Sequence, residues 1–337
     1  MLDSDEKSEH KNEAYVLDYQ PKRETSPLQN LLLQRAFQLS LLILTATVVA
    51  DLFGASAMRM SILHLDSVLW LMPLLLAAMG CDFLARQPRS TMVWLWGKLS
   101  LTLFGFGYLG VFSYAGVALQ DLSVAAGFDV VDDLLNKSDA ALGFRWPLAY
   151  DFFTRHEWLN AVLSTAYQSY KFQVGGILLL LSLTKNVEDL AEYLLLFVVV
   201  AVVTIAIATL IPATNPYYYF GIASVEDVTP WSQFYGLRDG SLIDIDLANS
   251  QGIVSFPSLH TAHAIVFAYV LRHIKYLNVT AICVNVIMIV SALPFGGHYL
   301  VDVLAGLMLG LGTILLWRRW SLHIRARQLD GLPNACL

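Results

Sequence analysis

The sequence predicts an all-α, polytopic transmembrane helix bundle of about eight spans, with both termini cytoplasmic. Three observations predict the fold. Of the 337 residues, 56% are hydrophobic and only 14% charged, against about 25% charged in a soluble domain. Apolar runs follow one another along the chain, each near the ~20 residues that cross a bilayer. None of them alternates with a period of two, so they read as helices and not as strands of a closed barrel. Membrane lipids are therefore the expected partners. The net charge of −6 carries no basic field, so no nucleic-acid partner is expected.

Taken in order, residues 1–35 read as a disordered cytoplasmic tail, polar and without the early apolar core of a signal peptide. Residues 36–118 hold three N-terminal spans, at about 36–55, 66–85 and 91–118. Residues 119–158 form an extracytoplasmic interfacial segment. Within it, 124–135 has apolar residues at helical spacing, and Leu142-Gly143-Phe144-Arg145-Trp146-Pro147 joins aromatic to cationic side chains. It reads as one or two helices on the outer membrane surface, or as a solvated cap over the bundle. Residues 159–317 hold five more spans, at about 159–184, 191–213, 253–272, 277–295 and 298–317, and 318–337 form a second cytoplasmic tail.

Lysine and arginine set the orientation. With the N-terminus inside, the inner segments carry 14 of them and the outer segments 5: Arg59, Lys137, Arg145, Arg155 and Arg238. The loops 119–158 and 214–252 then face outward. The three cysteines, Cys81, Cys283 and Cys336, show neither metal-ligand spacing nor a disulfide framework. Gly105-Phe106-Gly107-Tyr108-Leu109-Gly110 matches a dinucleotide-binding fingerprint, but that fingerprint needs a strand before it. Inside a membrane run its glycines are expected to serve close helix packing.

Polar residues inside apolar runs are costly, and two groups of them stand at the mouths of spans. The first is Ser255-Phe256-Pro257-Ser258-Leu259-His260-Thr261-Ala262-His263; the second is Gly296-Gly297-His298-Tyr299-Leu300-Val301-Asp302. Four residues apart on a helix, His298 and Asp302 share a face. A carboxylate bound to one ring nitrogen fixes the tautomer and leaves the other nitrogen as a base or nucleophile. Proline favours a first helical turn, so a helix is expected to begin near Phe256 or Pro257, with free N–H groups and the Ser258 hydroxyl available to an anion. Topology puts His260 and His298 at the same outer face. Phosphoryl transfer through a phosphohistidine needs such parts: a nucleophile, its orienter, an acid and donors for the oxygens.

The pattern Phe256-Pro257-Ser258-Leu259-His260 followed by His298-Tyr299-x-x-Asp302 resembles the type-2 phosphatidic acid phosphatase superfamily. More narrowly, it resembles the branch of inositol phosphorylceramide and sphingomyelin synthases. The resemblance covers roughly residues 159–317, five of the family's six core helices. It implies a lipid phosphatase or phosphotransferase with His298 as phosphate-accepting nucleophile, Asp302 as its orienter and His260 as general acid. No cofactor is implied.

Two departures weaken the expected phosphate pocket. The family's third motif, S-R-x5-H-x3-D, has Ala292 in place of its arginine, and the basic first motif, K-x6-R-P, is absent where Ile211-Pro212-Ala213-Thr214-Asn215-Pro216 stands. A transferring phosphoryl group needs cations or many donors. Arg238 on the outer loop is one candidate to supply the charge, or else it pairs with Asp239 or a lipid head group. Lys171, with Tyr167 and Gln168 on one helix face, is another, or else it pairs inside the bundle. Asn215 and Gly297 complete the expected phosphate-binding set with Ser258. His263 stands three residues after His260, without the spacing or the glutamate of a zinc helix; it is expected to pack or support, and no metal is expected. The helix face His298, Asp302, Gly306, Gly310 is expected to bring the catalytic helix close to its neighbour. The alternative on this scaffold is a catalytically degenerate protein that binds or transports lipid.

Overall fold

The computed structural model describes residues 27–87, 91–184, 187–222, 229–249 and 252–330. Its helices in chain order are α1 (Pro27–Met58), α2 (Asp66–Leu69), α3 (Met72–Ala85), α4 (Val93–Ala125), α5 (Asp132–Ala141), α6 (Trp146–Arg155) and α7 (Glu157–Leu183). They continue with α8 (Val187–Leu210), α9 (Pro216–Tyr219), α10 (Thr229–Asp239), α11 (Leu259–Val270), α12 (Leu277–Phe295) and α13 (Leu300–Asp330). Two three-residue strands, β1 (Ser61–Leu63) and β2 (Asp244–Asp246), pair in parallel with Ile62 opposite Ile245. That small sheet departs from the all-helical expectation; three residues are too few to show a strand period.

Six helical segments are long and apolar enough to cross a membrane: Leu32–Met58, Asp66–Ala85, Val93–Ala125, Val187–Leu210, Leu277–Phe295 and Leu300–Ile324. The chain is an integral membrane protein. The other two expected spans are helical but differ in kind. The 27-residue α7 is long enough, and its middle carries Tyr167, Gln168, Ser169, Tyr170, Lys171 and Gln173. The expected span 253–272 contracts to the 12 residues of α11, which rise only about 18 Å. Its entry, 252–258, is irregular backbone with bends at Phe256 and Pro257, buried at Ile253, Ser255 and Ser258. Irregular backbone is tolerated at membrane depth where protein covers it. The first helix begins at Pro27, so 27–35 extend it and do not belong to a disordered tail; 1–26 lie outside the described residues. Likewise α13 continues to Asp330, and only 331–337 of the second expected tail lie outside them.

Apolar on all sides, α8 is the buried centre, with Leu190, Tyr193, Leu194, Leu196 and Val198 shielded from solvent. Around it pack α1, α4, α7, α11 and α13. By contrast α3 rests on α4 and leaves Leu76, Met79 and Phe83 exposed, the outward face that a bilayer covers. The glycines of the fingerprint-like stretch do serve packing. A Cβ on Gly107 would come within 2.4 Å of Leu75, and one on Gly105 within 2.9 Å of Leu178. Along α13 the expected small-residue face meets α11: a Cβ on Gly306 would lie 2.5 Å from the Ser258 carbonyl oxygen, and one on Gly310 2.7 Å from that of Ala262. No other residue fits there without parting the two helices.

Of segment 119–158, residues 119–125 continue α4 beyond the expected end of its span, the middle forms α5 and α6, and the last two residues open α7. Trp146 at the start of α6 is almost wholly buried. The Trp146 indole stacks on Tyr150 and Phe220, meets Tyr217 edge-on, and donates from Nε1 to the Leu293 carbonyl at 3.2 Å.

Candidate active site

The start of α13 and the start of α11 come together at one end of the bundle. His298 Nδ1 lies 3.3 Å from Asp302 Oδ2. The same oxygen accepts from the Tyr299 N–H at 2.9 Å and from the Ser255 hydroxyl at 3.3 Å. Asp302 is fully buried, and its backbone oxygen accepts the Ser258 N–H at 3.0 Å. One residue thus ties the start of α13, beside His298, to the entry of α11. The ring also meets the Ser255 backbone; with Nδ1 turned to the carboxylate, Nε2 is the nitrogen left to do chemistry.

Beside Nε2 the backbone is glycine by necessity. A Cβ on Gly296 would stand 2.6 Å from His298 Cδ2, 3.1 Å from Nε2 and 2.7 Å from the Ala292 oxygen. Gly297 has φ +58°, and a Cβ there would meet Tyr217 at 2.8 Å and the Asn215 amide nitrogen at 2.9 Å. Gly296→Ala is therefore expected to displace the imidazole and cut kcat by about 100-fold, the scale of a 1 Å misplacement. Steady-state kinetics on folded variant checks this; a kcat within twofold of the parent would show the ring has room.

His260 is held by aromatic rings. Tyr167 stacks on it with centroids 4.4 Å apart and planes at 17°, and Tyr170 lies against it at 4.4 Å. Tyr170 is itself fixed, its hydroxyl 2.7 Å from His263 Nδ1, while His263 Nε2 lies 3.0 Å from the Phe197 carbonyl. A carbonyl only accepts, so Nε2 carries the proton and Nδ1 accepts from Tyr170. Both nitrogens of His263 are occupied, which fits the supporting role expected of it.

The helix start differs slightly from expectation. Ser258, in extended conformation, is the N-cap of α11, and its hydroxyl oxygen accepts from Thr261 N–H at 3.4 Å. The helix thus begins at Leu259, two residues later than Pro257, because serine takes the capping position that proline cannot fill. The N–H groups of Leu259 and His260 have no intrahelical acceptor, and the described residues supply none. Asn215 caps α9 through Oδ1, which accepts the Tyr218 N–H at 3.1 Å; its amide N–H pair stays on the Gly297 side.

His298, Asp302, His260, Ser258, Gly297, Asn215 and Tyr167 are thus brought together. Gln168 and Lys171 are exposed on α7, and among the described residues neither bonds to a histidine. The face of α7 that meets His260 is Tyr167 with Tyr170, one turn apart, and not the expected 167–168–171 face. Arg238 lies on α10, where Nη2 donates to the Gly127 carbonyl at 3.3 Å and the guanidinium sits over Phe234; it contacts neither histidine. Ala292 is fully buried and its carbonyl accepts from Gly296 and His298 N–H, which leaves no volume for an arginine.

Sequence reasoning missed Asp132 and Asp139 of α5. Asp132 accepts from Thr214 N–H and hydroxyl at 2.9 and 2.8 Å and from the Tyr299 hydroxyl at 3.0 Å. Asp139 accepts the N–H groups of Leu300 and Val301 at 2.8 and 2.9 Å. Burial pushes the Asp139 carboxyl up, against the pull of those two N–H groups. The neighbouring Asp133 carboxylate, bonded to Tyr219, raises that phenol. A seven-residue spacing of buried acids on an otherwise amphipathic helix was the available signal.

The bundle thus keeps a His–Asp pair and a second histidine at two adjoining helix starts of a membrane protein. A family model described as the PAP2 superfamily matches residues 133–316, more than half of the chain, and the chain belongs to that superfamily. It is thereby a lipid phosphatase-type membrane protein. No curated protein and no solved structure matches it. The match begins within α5, so α6 and all but the first residue of α5 lie inside the matched region.

Proposed function

We propose that this protein is a phosphotransferase of the inositol phosphorylceramide and sphingomyelin synthase type, working on a lipid phosphodiester through a phosphohistidine at His298. The observation that carries the reading is the His298–Asp302 pair, with Nδ1 turned to the carboxylate and His260 on the adjoining helix. In the first step Nε2 bonds to phosphorus, the bond to the leaving lipid oxygen breaks, and His260 gives that oxygen its proton. In the second, an acceptor alcohol attacks, the nitrogen–phosphorus bond breaks, and the alcohol's proton returns to His260. Asp302 stabilises the imidazolium character that develops on His298.

The oxyanion donors are the Leu259 and His260 N–H groups at the positive end of α11 and the Asn215 amide. All are neutral. With Ala292 where an arginine would stand, and Arg238 and Lys171 away from the histidines, the donor set suits a phosphodiester with one negative charge better than a monoester with nearly two. That favours head-group transfer over phosphate release. The excess of lysine and arginine on the segments read as inner supports both termini inside and the site at the outer face; α7 and α11 are read as further members of the bundle beside the six helices long and apolar enough to span.

The test gives purified protein phosphatidylinositol, phosphatidylcholine or phosphatidic acid as donor, each with and without diacylglycerol or ceramide. A new head-group-bearing lipid that needs the alcohol supports the reading. Free phosphate from phosphatidic acid alone would make the protein a phosphatase. Lipid binding without product would favour a non-enzymatic carrier.

A further inference from the structure

We infer that Asp139 and Asp132 of α5 are positioning residues that hold the His298 backbone in register for catalysis. The inference rests on the reading of His298 as nucleophile. The two acids are seven residues apart, two turns along one face, with Leu135 buried between them. Asp139 takes the N–H groups of Leu300 and Val301, the first two of α13, from 161 and 162 residues away in sequence. Asp132 holds the hydroxyl of Tyr299, the residue that follows His298, and clamps Thr214, which precedes Asn215. Both sides of the His298 pocket, the α13 start and the loop bearing Asn215, are thus fastened to one short helix.

The clamp also decides where an anion can bind. A helix start is an anion site when its N–H groups are free. At α13 the Tyr299 N–H goes to Asp302, those of Leu300 and Val301 go to Asp139, and the following two go to the Tyr299 carbonyl. The carboxylate of Asp139 fills the place a phosphate would otherwise take. Substrate is left with the α11 start, on the His260 side, where the leaving oxygen must stand to receive its proton. Asp139 in this way both fixes the nucleophile and keeps phosphate from a non-productive seat beside it.

The test compares Asp139→Asn, Tyr299→Phe and His298→Ala with the parent, using phosphatidylinositol and phosphatidic acid as donors and adding ceramide. Lys137→Ala, on the exposed side of α5, serves as control. Each protein is assayed at a temperature where its unfolding curve shows it fully folded. Asp139→Asn, which keeps the volume but weakens the hold on the two N–H groups, is expected to lower kcat by about 30- to 100-fold with KM within threefold, and to make inorganic phosphate a stronger competitive inhibitor because the negative charge that repels it is gone. Tyr299→Phe, which removes one hydroxyl and keeps the ring, is expected to lower kcat several-fold. A folded Asp139→Asn with parental kcat and unchanged phosphate inhibition would overturn the inference. Should it fail to fold, parental kcat in Tyr299→Phe does so for the Asp132 arm. If His298→Ala keeps its activity, the nucleophile assignment itself fails, a result distinct from either.

Discussion

Replacing His298 by alanine is expected to lower turnover by at least about 1,000-fold, the scale of losing a nucleophile that works in a unit with its orienter. The reason lies in how completely the ring is committed. Its Nδ1 faces the Asp302 carboxylate, and the glycines at 296 and 297 clear the space around it. Among the described residues the nearest alternative, His260, is pinned between two tyrosine rings and shows no carboxylate partner. Substrate should still bind, because the donors at the α11 start and Asn215 are untouched. Lipid binding at parental affinity with turnover gone is the expected pair of results. Activity within a few-fold of the parent would remove His298 from the chemistry.

Replacing His260 by alanine is expected to produce a loss that depends on the leaving group. A departing lipid alkoxide needs a proton, and losing the acid should slow it by about 100- to 10,000-fold. A nitrophenyl phosphodiester leaves as a stable phenolate and should be slowed less than tenfold by the same change. A uniform loss on both substrates would mean that His260 binds or shapes the site and does not give up a proton. Both arms use the same protein sample, so misfolding would lower the two rates together and is told apart.

Much of the membrane architecture could be read from sequence because lipid as solvent simplifies the code. Apolar length marks a candidate span, and six of the eight expected runs hold helices long and apolar enough to cross a membrane. The boundaries were less legible. The run at 253–272 is apolar throughout, yet Ser258 caps the helix and leaves only Leu259–Val270 helical; hydropathy does not distinguish a buried re-entrant entry from a helix. The His298–Asp302 pair was legible because its partners lie one turn apart. The face of α7 was misjudged because it was chosen by charge, whereas packing selects the tyrosines that fit an imidazole. Asp132 and Asp139 could be seen as two acids seven residues apart, but their role was not legible because their partners lie 82 to 167 residues away. Helical spacing carries no information over that separation. The missing arginine could be seen, but not why it is missing: Ala292 sits in a wholly buried turn whose carbonyl holds the His298 N–H.

The central claim is that His298 carries phosphorus during turnover. The direct measurement mixes enzyme with a stoichiometric amount of donor lipid and no acceptor, quenches in base within the first turnover, and locates the adduct by peptide mass spectrometry. The account predicts an alkali-stable, acid-labile phosphoramidate on His298, discharged when ceramide or diacylglycerol is added and absent from His298→Ala. Turnover with no adduct on any histidine, or an adduct on His260 instead, would contradict it.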